Sequence, residues 1–392
     1  MKKFNNWARI VRFAAAREGR AIRRSYPVLL VLAGGIFVYG VLYNVLYAPE
    51  VVTGAPVAVV DHSLSRLSRT YVRWLEATPQ VKVNGQTGNF IEAQRWMKEG
   101  RVVGIIYLPA DLEQRVGKGQ EAIFSLYATT DAFLYFEALQ TASMQVMLAV
   151  DERYRAEGAV FLPPQGVVAV SSTAPVSLSG NALYNVTEGY GSYLLPAVLM
   201  IILFQTLLMV VGMLAGEEAQ TGGVRAFRRF GRGGTAAAGV VLGKTLVYTG
   251  LYAVFALFLL GLIPLLFGLP ALGNGGVIAL LLLPYLLATS FLGLAASRWF
   301  TDSEAPVLFI AFFSVGLVFV SGVSYPLELM PWYGRALHAV LPAAPATLAF
   351  VQVNSMGASL TDVGGAMVTL WVQTGVYFGL AVGVQAAKMR AF

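Results

Sequence analysis

Apolar residues are distributed unevenly along this chain. A run without charged residues covers 27–47, and the next apolar run does not begin until Ser192. Residues 48–190, between them, carry 25 of the 49 Asp, Glu, Lys and Arg side chains. A helix needs about 20 apolar residues to cross roughly 30 Å of hydrocarbon. The pattern therefore predicts one membrane span, then a polar domain, then a group of closely spaced spans.

Six segments are long and apolar enough to span a membrane, and every charged side chain lies outside them. This is expected, because an ionised group at the bilayer centre is costly. The predicted fold class is an α-helical integral membrane protein with six transmembrane helices and an inserted extracytoplasmic α/β domain between spans one and two. The predicted spans are 27–47, 192–215, 246–267, 277–296, 305–323 and 366–387.

Positive charge is concentrated in two short regions. Residues 1–25 contain eight basic side chains and one acidic side chain, and the loop 216–245 contains five basic and two acidic. Residues 48–190 contain eleven basic and fourteen acidic side chains. The positive-inside rule therefore predicts cytoplasmic N- and C-termini and an external 48–190 domain, since six spans return Lys388 and Arg390 to the starting side. A net acidic external domain also argues against nucleic-acid binding.

Residues 1–25 are predicted to form a cytoplasmic amphipathic helix lying along the membrane surface, because apolar residues recur at helical spacing and arginines lie elsewhere. A disordered basic tail is the alternative. The first transmembrane helix follows in 26–47. Its apolar run is longer than that of a usual signal peptide, and no clear cleavage site follows Tyr47. We therefore interpret it as an uncleaved signal anchor.

The external domain alternates strand and helix signals, which predicts a small α/β domain with a partly parallel sheet. Asn89 followed by Glu92 resembles a capping box. The predicted strands are 57–60, 81–83, 102–108, 122–128 and 167–170, and the predicted helices are 65–76, 89–100 and 132–157.

No catalytic, metal or cofactor site is predicted. The chain has no cysteine, and His62 and His338 are its only histidines. Gly243-Lys244-Thr245 looks like the end of a P-loop, but the required glycine at 238 is Ala238, so we do not expect this chain to bind ATP. The predicted spans contain uncharged polar residues and no carboxylate. This favours amphipathic or lipid-like cargo over proton-coupled transport.

Two loops in 191–392 carry further information. The loop 216–245 opens with two acids and continues with arginines and phenylalanines. It could rest on the membrane, dock a cytosolic partner, or only follow the positive-inside rule. The external loop 321–345 is apolar and rich in proline, which forbids one continuous helix. Broken helices that dip into the bilayer and return are predicted there, provided that protein buries their free backbone groups.

The combination of motifs along nearly the whole chain resembles the ABC type-2 exporter permeases, the six-span subunits of the type V ABC exporter fold. The loop 216–245 departs from the family pattern, because its opening run is acidic only. The motifs that carry the resemblance are Val57-Ala58-Val59-Val60-Asp61, Leu108-Pro109, Tyr184-Asn185, Glu217-Glu218, Gly243-Lys244, Ser321-Gly322, Tyr325-Pro326, Met330-Pro331-Trp332 and Leu341-Pro342.

The resemblance implies a multi-pass permease in a bacterial inner membrane that exports drugs, lipids or peptides. It implies a dimer with an identical or different permease subunit, driven by a separate cytosolic ABC ATPase. Some such systems work with a periplasmic adaptor and an outer-membrane channel. The implied ATPase-contacting residues are Glu217, Glu218, Arg225, Arg228 and Arg229, and the implied re-entrant hairpin includes Ser321, Gly322, Pro326, Pro331, Trp332 and Pro342.

Two other functions compete with ATP-driven export. A membrane-anchored extracytoplasmic sensor or scaffold would not need five clustered spans with broken helices. A passive channel would need a charged or carbonyl-rich filter, and no such pattern is visible. The sequence therefore predicts a transporter subunit with no cofactor and no enzymatic activity of its own.

Overall fold

The computed structural model describes most of the chain as two compact units. The helical unit comprises Met1–Ala48 and Ala182–Phe392, and the α/β unit comprises Pro49–Asn181. The predicted strand 167–170 and the Tyr184-Asn185 motif lie outside the described residues. The described residues are 2–47, 52–118, 123–128, 133–160, 190–231, 233–269 and 271–391.

Thirteen helices and four strands are numbered here in chain order within those ranges. The helices are α1 (Lys2–Arg24), α2 (Tyr26–Leu46), α3 (Arg66–Glu76), α4 (Phe90–Lys98), α5 (Leu112–Gly117), α6 (Phe133–Val160), α7 (Tyr190–Gln220), α8 (Gly234–Phe267), α9 (Gly275–Ala296), α10 (Ala305–Val320), α11 (Trp332–Val340), α12 (Ala343–Met356) and α13 (Gly364–Ala391). The strands are β1 (Ala55–Asp61), β2 (Val81–Thr87), β3 (Gly104–Leu108) and β4 (Ser125–Ala128).

Five helices of the described chain are long and apolar enough to cross a membrane, namely α2, α7, α8, α9 and α13. The pair α11 and α12 meets the same test together, with the two helices bent by 85°. By contrast, α10 has 16 residues, about 24 Å, and is shorter than the hydrocarbon layer. By length, the bent pair is the sixth candidate, whereas the predicted span 305–323 forms the shorter helix α10. This helix lies beside α7, from Pro306 next to Gly212 to the turn where the Val323 carbonyl accepts a hydrogen bond from the Tyr193 hydroxyl.

Two further features of the helical unit differ from the prediction. The structure has α12, a mostly buried helix that the sequence analysis did not assign. It also begins α8 at Gly234, well before the predicted span at 246. With 34 residues, α8 is about 51 Å long, so it extends beyond roughly 30 Å of hydrocarbon.

The first part of α8 packs along α1. Glycines at 239 and 243 let the two helices approach closely, because a Cβ atom at 243 would lie 2.5 Å from the carbonyl oxygen of Val11 and 2.7 Å from the Cβ of Ala14. Ile10 and Ala14 are buried as a result. The apolar face of α1 thus packs on protein, whereas the sequence analysis expected it to rest on the membrane surface.

The α/β unit is built on a four-stranded sheet with the order β2-β1-β3-β4. Strand β1 is parallel to both β2 and β3, and β4 is antiparallel to β3. One face of the sheet packs on α3 and α6, and the other packs on α4. The sheet and the helices on its two faces thus form three layers, with no disulfide. The alternation of strands and helices in the sequence predicts this α/β arrangement.

Two helices of the α/β unit begin at side-chain caps. Ser65 and Ser68 form a reciprocal capping box at the start of α3. The side chain of Asn89 accepts a hydrogen bond from the N–H of Ile91 at the start of α4. The expected box between Asn89 and Glu92 is not formed, because the Glu92 carboxylate instead accepts a hydrogen bond of 2.6 Å from the Thr87 hydroxyl.

Alanine substitutions at two glycines of α8 should change stability in opposite directions. Gly243→Ala should lower the free energy of unfolding by roughly 1–3 kcal/mol, because its Cβ would overlap α1. Gly250→Ala is the matched control, since a Cβ there meets no atom within 4 Å, and it should raise stability by up to about 1 kcal/mol through helix propensity. Thermal unfolding in detergent micelles measures both. Equal effects would mean that α1 does not pack closely on α8.

Candidate functional site

Four charged side chains meet where α1, α7 and α8 come together. Lys244 Nζ lies 2.7 Å from Glu218 Oε2 and 3.4 Å from Glu18 Oε2. Arg17 Nη1 lies 3.3 Å from Glu218 Oε1. We refer to these four residues as the ion-pair cluster. Three are nearly fully buried, because the exposed fraction is 3% for Lys244, 6% for Glu18 and 9% for Glu218.

Neighbouring polar and aromatic groups complete the cluster. The hydroxyl of Tyr248, one helical turn after Lys244, donates to the Glu18 carboxylate. The ring of Phe227 lies 4.9 Å from the Arg17 guanidinium carbon and 5.8 Å from Lys244 Nζ. The two carboxylates and two cations of the cluster therefore balance in charge, and each carboxylate lies within ion-pair distance of a cation. This is the condition under which buried ions are tolerated.

The cluster also positions the segment between α7 and α8. A 3₁₀ helix covers Gly223–Phe230, which we name the loop helix. It begins after Gly222, whose φ of 62° suits glycine. Arg17 donates a hydrogen bond of 2.6 Å to the carbonyl of Gly223, and Phe227 is buried. The loop helix is thus attached to α1 as well as to the ends of α7 and α8.

The predicted loop residues fall into two groups. Glu217 and Glu218 belong to the last turns of α7, where Glu217 accepts a hydrogen bond from the Ser25 hydroxyl and Glu218 joins the ion-pair cluster. Arg225 and Arg229 are exposed, and Arg228 is half-buried. The two acids therefore bind within the chain, whereas Arg225 and Arg229 stay exposed on the loop helix.

Aromatic side chains of α1 and the loop helix pack against the exposed Arg229. The guanidinium carbon of Arg229 lies 3.8 Å from the ring centroid of Phe13 and 4.7 Å from that of Phe230. Phe13 also contacts Phe227, with ring centroids 5.9 Å apart. Arg229 is consequently oriented by packing while its charge stays accessible.

Sequence analysis did not predict the pairing of Arg17, Glu18 and Lys244 in the cluster, nor the neighbouring Tyr248. A signal for one of them was present, because Lys244 is the only charged residue of Gly234–Phe267. A lone lysine in a long apolar helix needs a buried partner or an exit to water. The resemblance to a P-loop drew attention to Lys244 for a different reason, and the structure pairs it with carboxylates.

The segment after α10 contains the other predicted residues. Gly322 has a φ of 87°, and the Ser321 hydroxyl accepts a hydrogen bond from the N–H of Val323. Pro331 precedes α11, which begins at an exposed Trp332. Pro326 is exposed, and a short 3₁₀ helix follows it at Leu327–Leu329. Pro342 lies between α11 and α12, at the 85° bend.

Side chains of α13 bind the backbone that this bend frees. Proline has no N–H, so the last carbonyls of α11 cannot all be satisfied within the helix. Gln373 Nε2 donates to the carbonyl of Ala339 at 2.8 Å, and the Tyr377 hydroxyl donates to that of Val340. His338 Nδ1 lies 2.9 Å from the carbonyl of Val320, at the end of α10. Protein groups thus bind the backbone that a broken helix exposes.

The described residues contain no group of three or more His, Cys, Asp or Glu side chains that could hold a metal ion. The ion-pair cluster does not act as such a site, because its two carboxylates are bound by lysine and arginine. The ion-pair cluster therefore has a mechanical role. It attaches the basic loop helix to α1, α7 and α8.

Comparison with known proteins supports one family. The model of the family described as ABC-2 family transporter protein matches residues 27–382. No curated protein and no solved structure matches the chain. The family resemblance found in the sequence is confirmed by the match, which extends from the first span to the last.

Removing the cation of the cluster should destabilise the helical unit. Lys244→Met leaves two buried carboxylates with one arginine, and we expect a loss of about 3–5 kcal/mol. Lys82→Met, at an exposed position of β2, is the control and should stay within about 0.5 kcal/mol. Adding Glu18→Gln to Lys244→Met should recover part of the loss. Thermal unfolding of the purified variants measures these changes in stability. A Lys244→Met variant as stable as the parent chain would contradict the ion pairing.

Loss of the carbonyl partners should weaken the bend between α11 and α12. Gln373→Leu leaves the Ala339 carbonyl unpaired, and Tyr377→Phe does the same to Val340, each at a cost of about 1–3 kcal/mol. Thr369→Val, which removes an exposed hydroxyl of the same helix, is the control. Hydrogen exchange of 332–345 measures local opening. Equal protection in all three variants would refute the assignment.

Proposed function

The chain belongs to the ABC-2 transporter family, and on that premise we propose that it is the membrane-spanning subunit of an ATP-driven exporter. Membership makes it the membrane component of an ABC transporter, a transporter subunit rather than an enzyme, and implies an ABC ATPase as partner. The export direction, the cargo and the residues that contact the ATPase are our proposal.

The distribution of charge supports an orientation for the subunit. The end of the helical unit that carries the ion-pair cluster and the loop helix, which we name the basic end, also carries Lys388 and Arg390 at the end of α13. We place the basic end in the cytoplasm of a bacterial cell and the α/β unit outside the inner membrane. The ATPase then has access to the loop helix, and the α/β unit is on the exit side.

The observation that carries the coupling proposal is the attachment of the loop helix. Its exposed Arg225 and Arg229 present positive charge to a partner. Arg17 joins it to α1, and the Glu218–Lys244 pair joins the ends of α7 and α8. A displacement of the loop by the ATPase would therefore move three helices together rather than a free loop.

The composition of the spanning helices supports an amphipathic or hydrophobic cargo such as a drug, lipid or peptide. In α2, α7, α8, α9 and α13, charged side chains occur only near the basic end. Buried uncharged groups, such as Tyr252, Tyr285 and Thr289, lie within the bundle. We further propose that the subunit works as a pair with a second permease subunit, with an adaptor and an outer-membrane channel as additional partners.

Charge reversal on the loop helix tests the ATPase contact. Arg225→Glu with Arg229→Glu should weaken binding of the partner ABC ATPase by at least about tenfold, which corresponds to about 1.4 kcal/mol. Arg73→Glu makes the same charge change at an exposed position of α3 and should have no effect. Binding is measured on the permease in nanodiscs, and salt should weaken it further.

Two results would count against the proposal. Unchanged ATPase affinity of the double variant would remove the loop helix as the contact. Vesicles that contain the permease and ATPase but show no ATP-dependent movement of a fluorescent amphiphile would refute export of this cargo class. In such vesicles, the double variant should also lose the stimulation of ATP hydrolysis by the permease.

A further inference from the structure

Three arginines are exposed in the last turns of α1, and we name Arg20, Arg23 and Arg24 the arginine face. Arg20 Nε donates a hydrogen bond of 3.1 Å to the carbonyl of Ala16, and Arg23 Nε donates one of 3.2 Å to that of Gly19. Each of these bonds uses Nε alone, so the terminal nitrogens of both guanidinium groups can still bind a phosphate or a carboxylate. The arginine face is therefore a set of oriented cations apart from the ion-pair cluster.

Within the described ranges, no carboxylate forms an ion pair with the arginine face. Two that lie close by are bound elsewhere, because Glu18 pairs with Lys244 and Glu217 accepts a hydrogen bond from the Ser25 hydroxyl. The acidic residues outside the described ranges all belong to 48–190, which joins the far ends of α2 and α7. That stretch therefore starts about 31 Å from Ser25, beyond a whole spanning helix. The counter-ions of the arginine face come from outside the chain.

The length of α2 indicates the depth of the arginine face in a membrane. Helix α2 has 21 residues, about 31 Å, which matches roughly 30 Å of hydrocarbon and places Tyr26 at the edge of the hydrocarbon layer. Arg23 and Arg24 come just before Tyr26 in the chain, separated from it only by Ser25. These arginines therefore lie in the headgroup layer that borders the hydrocarbon, where the lipid phosphates are.

The packing of α1 on α8 gives the same depth. With the end of α8 at Phe267 on one edge of the hydrocarbon, the opposite edge falls about 30 Å back along the helix, near Val247. Val247 lies beside α1, because a Cβ atom at Gly19 would be 4.0 Å from Val247 Cγ1. The lengths of two different helices thus place residues 19–24 at one edge of the hydrocarbon.

The outward side of the chain changes from cationic to apolar between α1 and α2. Tyr26 and Leu30 are exposed directly after the arginine face, while Ile22 and Val28 are buried in the core of the helical unit. The exposed side is thus positively charged in the headgroup layer and apolar where the hydrocarbon begins. An anionic phospholipid has the same order, with a negative headgroup followed by acyl chains. It therefore complements this surface in charge and in depth.

We infer that the arginine face binds the headgroup of an anionic phospholipid in the leaflet where α2 begins. Guanidinium groups bind phosphate oxygens through two parallel hydrogen bonds, and basic residues beside a spanning helix attract anionic lipid. A phospholipid is held at this depth by its own acyl chains, whereas a soluble phosphate is not. The inference goes beyond the proposed function, because it needs neither the ATPase nor the cargo and uses no residue of the loop helix.

Selective retention of lipid by the full-length chain tests this inference. The purified chain in a neutral detergent is incubated with equal amounts of phosphatidylglycerol and phosphatidylcholine, and the bound lipids are counted by native mass spectrometry. The parent chain should retain at least about tenfold more phosphatidylglycerol than phosphatidylcholine. Incubation at high salt should reduce this preference, because exposed charges are screened.

Substitution of the whole arginine face supplies the second measurement. Arg20→Gln, Arg23→Gln and Arg24→Gln, combined in one chain, should lower the preference for phosphatidylglycerol by at least about tenfold, because the three positive charges are removed. The triple variant Arg20→Lys, Arg23→Lys and Arg24→Lys keeps those charges and should keep most of the preference.

A matched control removes the same charge far from the spanning helices. Arg66→Gln, Arg73→Gln and Lys82→Gln, combined, change exposed positions of α3 and β2 and should leave the lipid preference unchanged. Equal unfolding temperatures in phosphatidylcholine nanodiscs check that every variant is folded. The measurements on the parent chain and on the triple lysine variant do not depend on the fold of the glutamine variant.

Several results would overturn the inference. Equal retention of the two lipids by the parent chain would do so, and so would an equal loss of preference in the control on α3 and β2. Displacement of the lipid by soluble glycerol phosphate would assign the arginine face to a free phosphate. An unchanged lipid preference in the triple glutamine variant, with weaker binding of the ATPase, would assign it to a protein partner. The exporter proposal stands after any of these results, because Arg225 and Arg229 are unchanged.

Discussion

Burial of charge at the ends of membrane helices is the constraint on which the basic end of this protein depends. A buried carboxylate without a cation costs several kcal/mol, so Glu18 and Glu218 require Lys244 within ion-pair distance. This requirement determines how closely α1, α7 and α8 must approach, and the glycine at 243 makes that approach sterically possible. The position of the loop helix follows, because it is attached to the same arginine that pairs with Glu218.

The bend between α11 and α12 satisfies a similar constraint with uncharged groups. Backbone carbonyls that lose their helical donors cannot be left unpaired in an apolar environment. Side chains of α13, a helix that follows in the sequence, supply the donors for Ala339 and Val340. Both places therefore depend on partners from distant segments. At the ion-pair cluster and at the bend, polar interactions at a helix end fix that helix relative to its neighbours. Apolar packing alone would fix these relative positions less closely.

The sequence predicted what depends on local pattern and missed what depends on distant partners. Apolar runs predicted the spanning helices, and alternation predicted the sheet in which β1 lies between β2 and β3. The ion-pair cluster could not be predicted, because Tyr248 and Glu18 are 230 residues apart. Hydropathy also overlooked α12, since a buried helix among other helices need not have the length of a membrane span.

The ion-pair cluster has a consequence for the order in which the protein assembles. Glu18 is synthesised before the first span, Glu218 only after the entire α/β unit, and Lys244 later still. Until α8 emerges from the ribosome, the two carboxylates lack their lysine and lie at helix ends, where water and headgroups still solvate them. Hydrophobicity alone must hold the earlier spans in the bilayer. Arrival of Lys244 with α8 then joins α1, α7 and α8, and the later helices pack on this group.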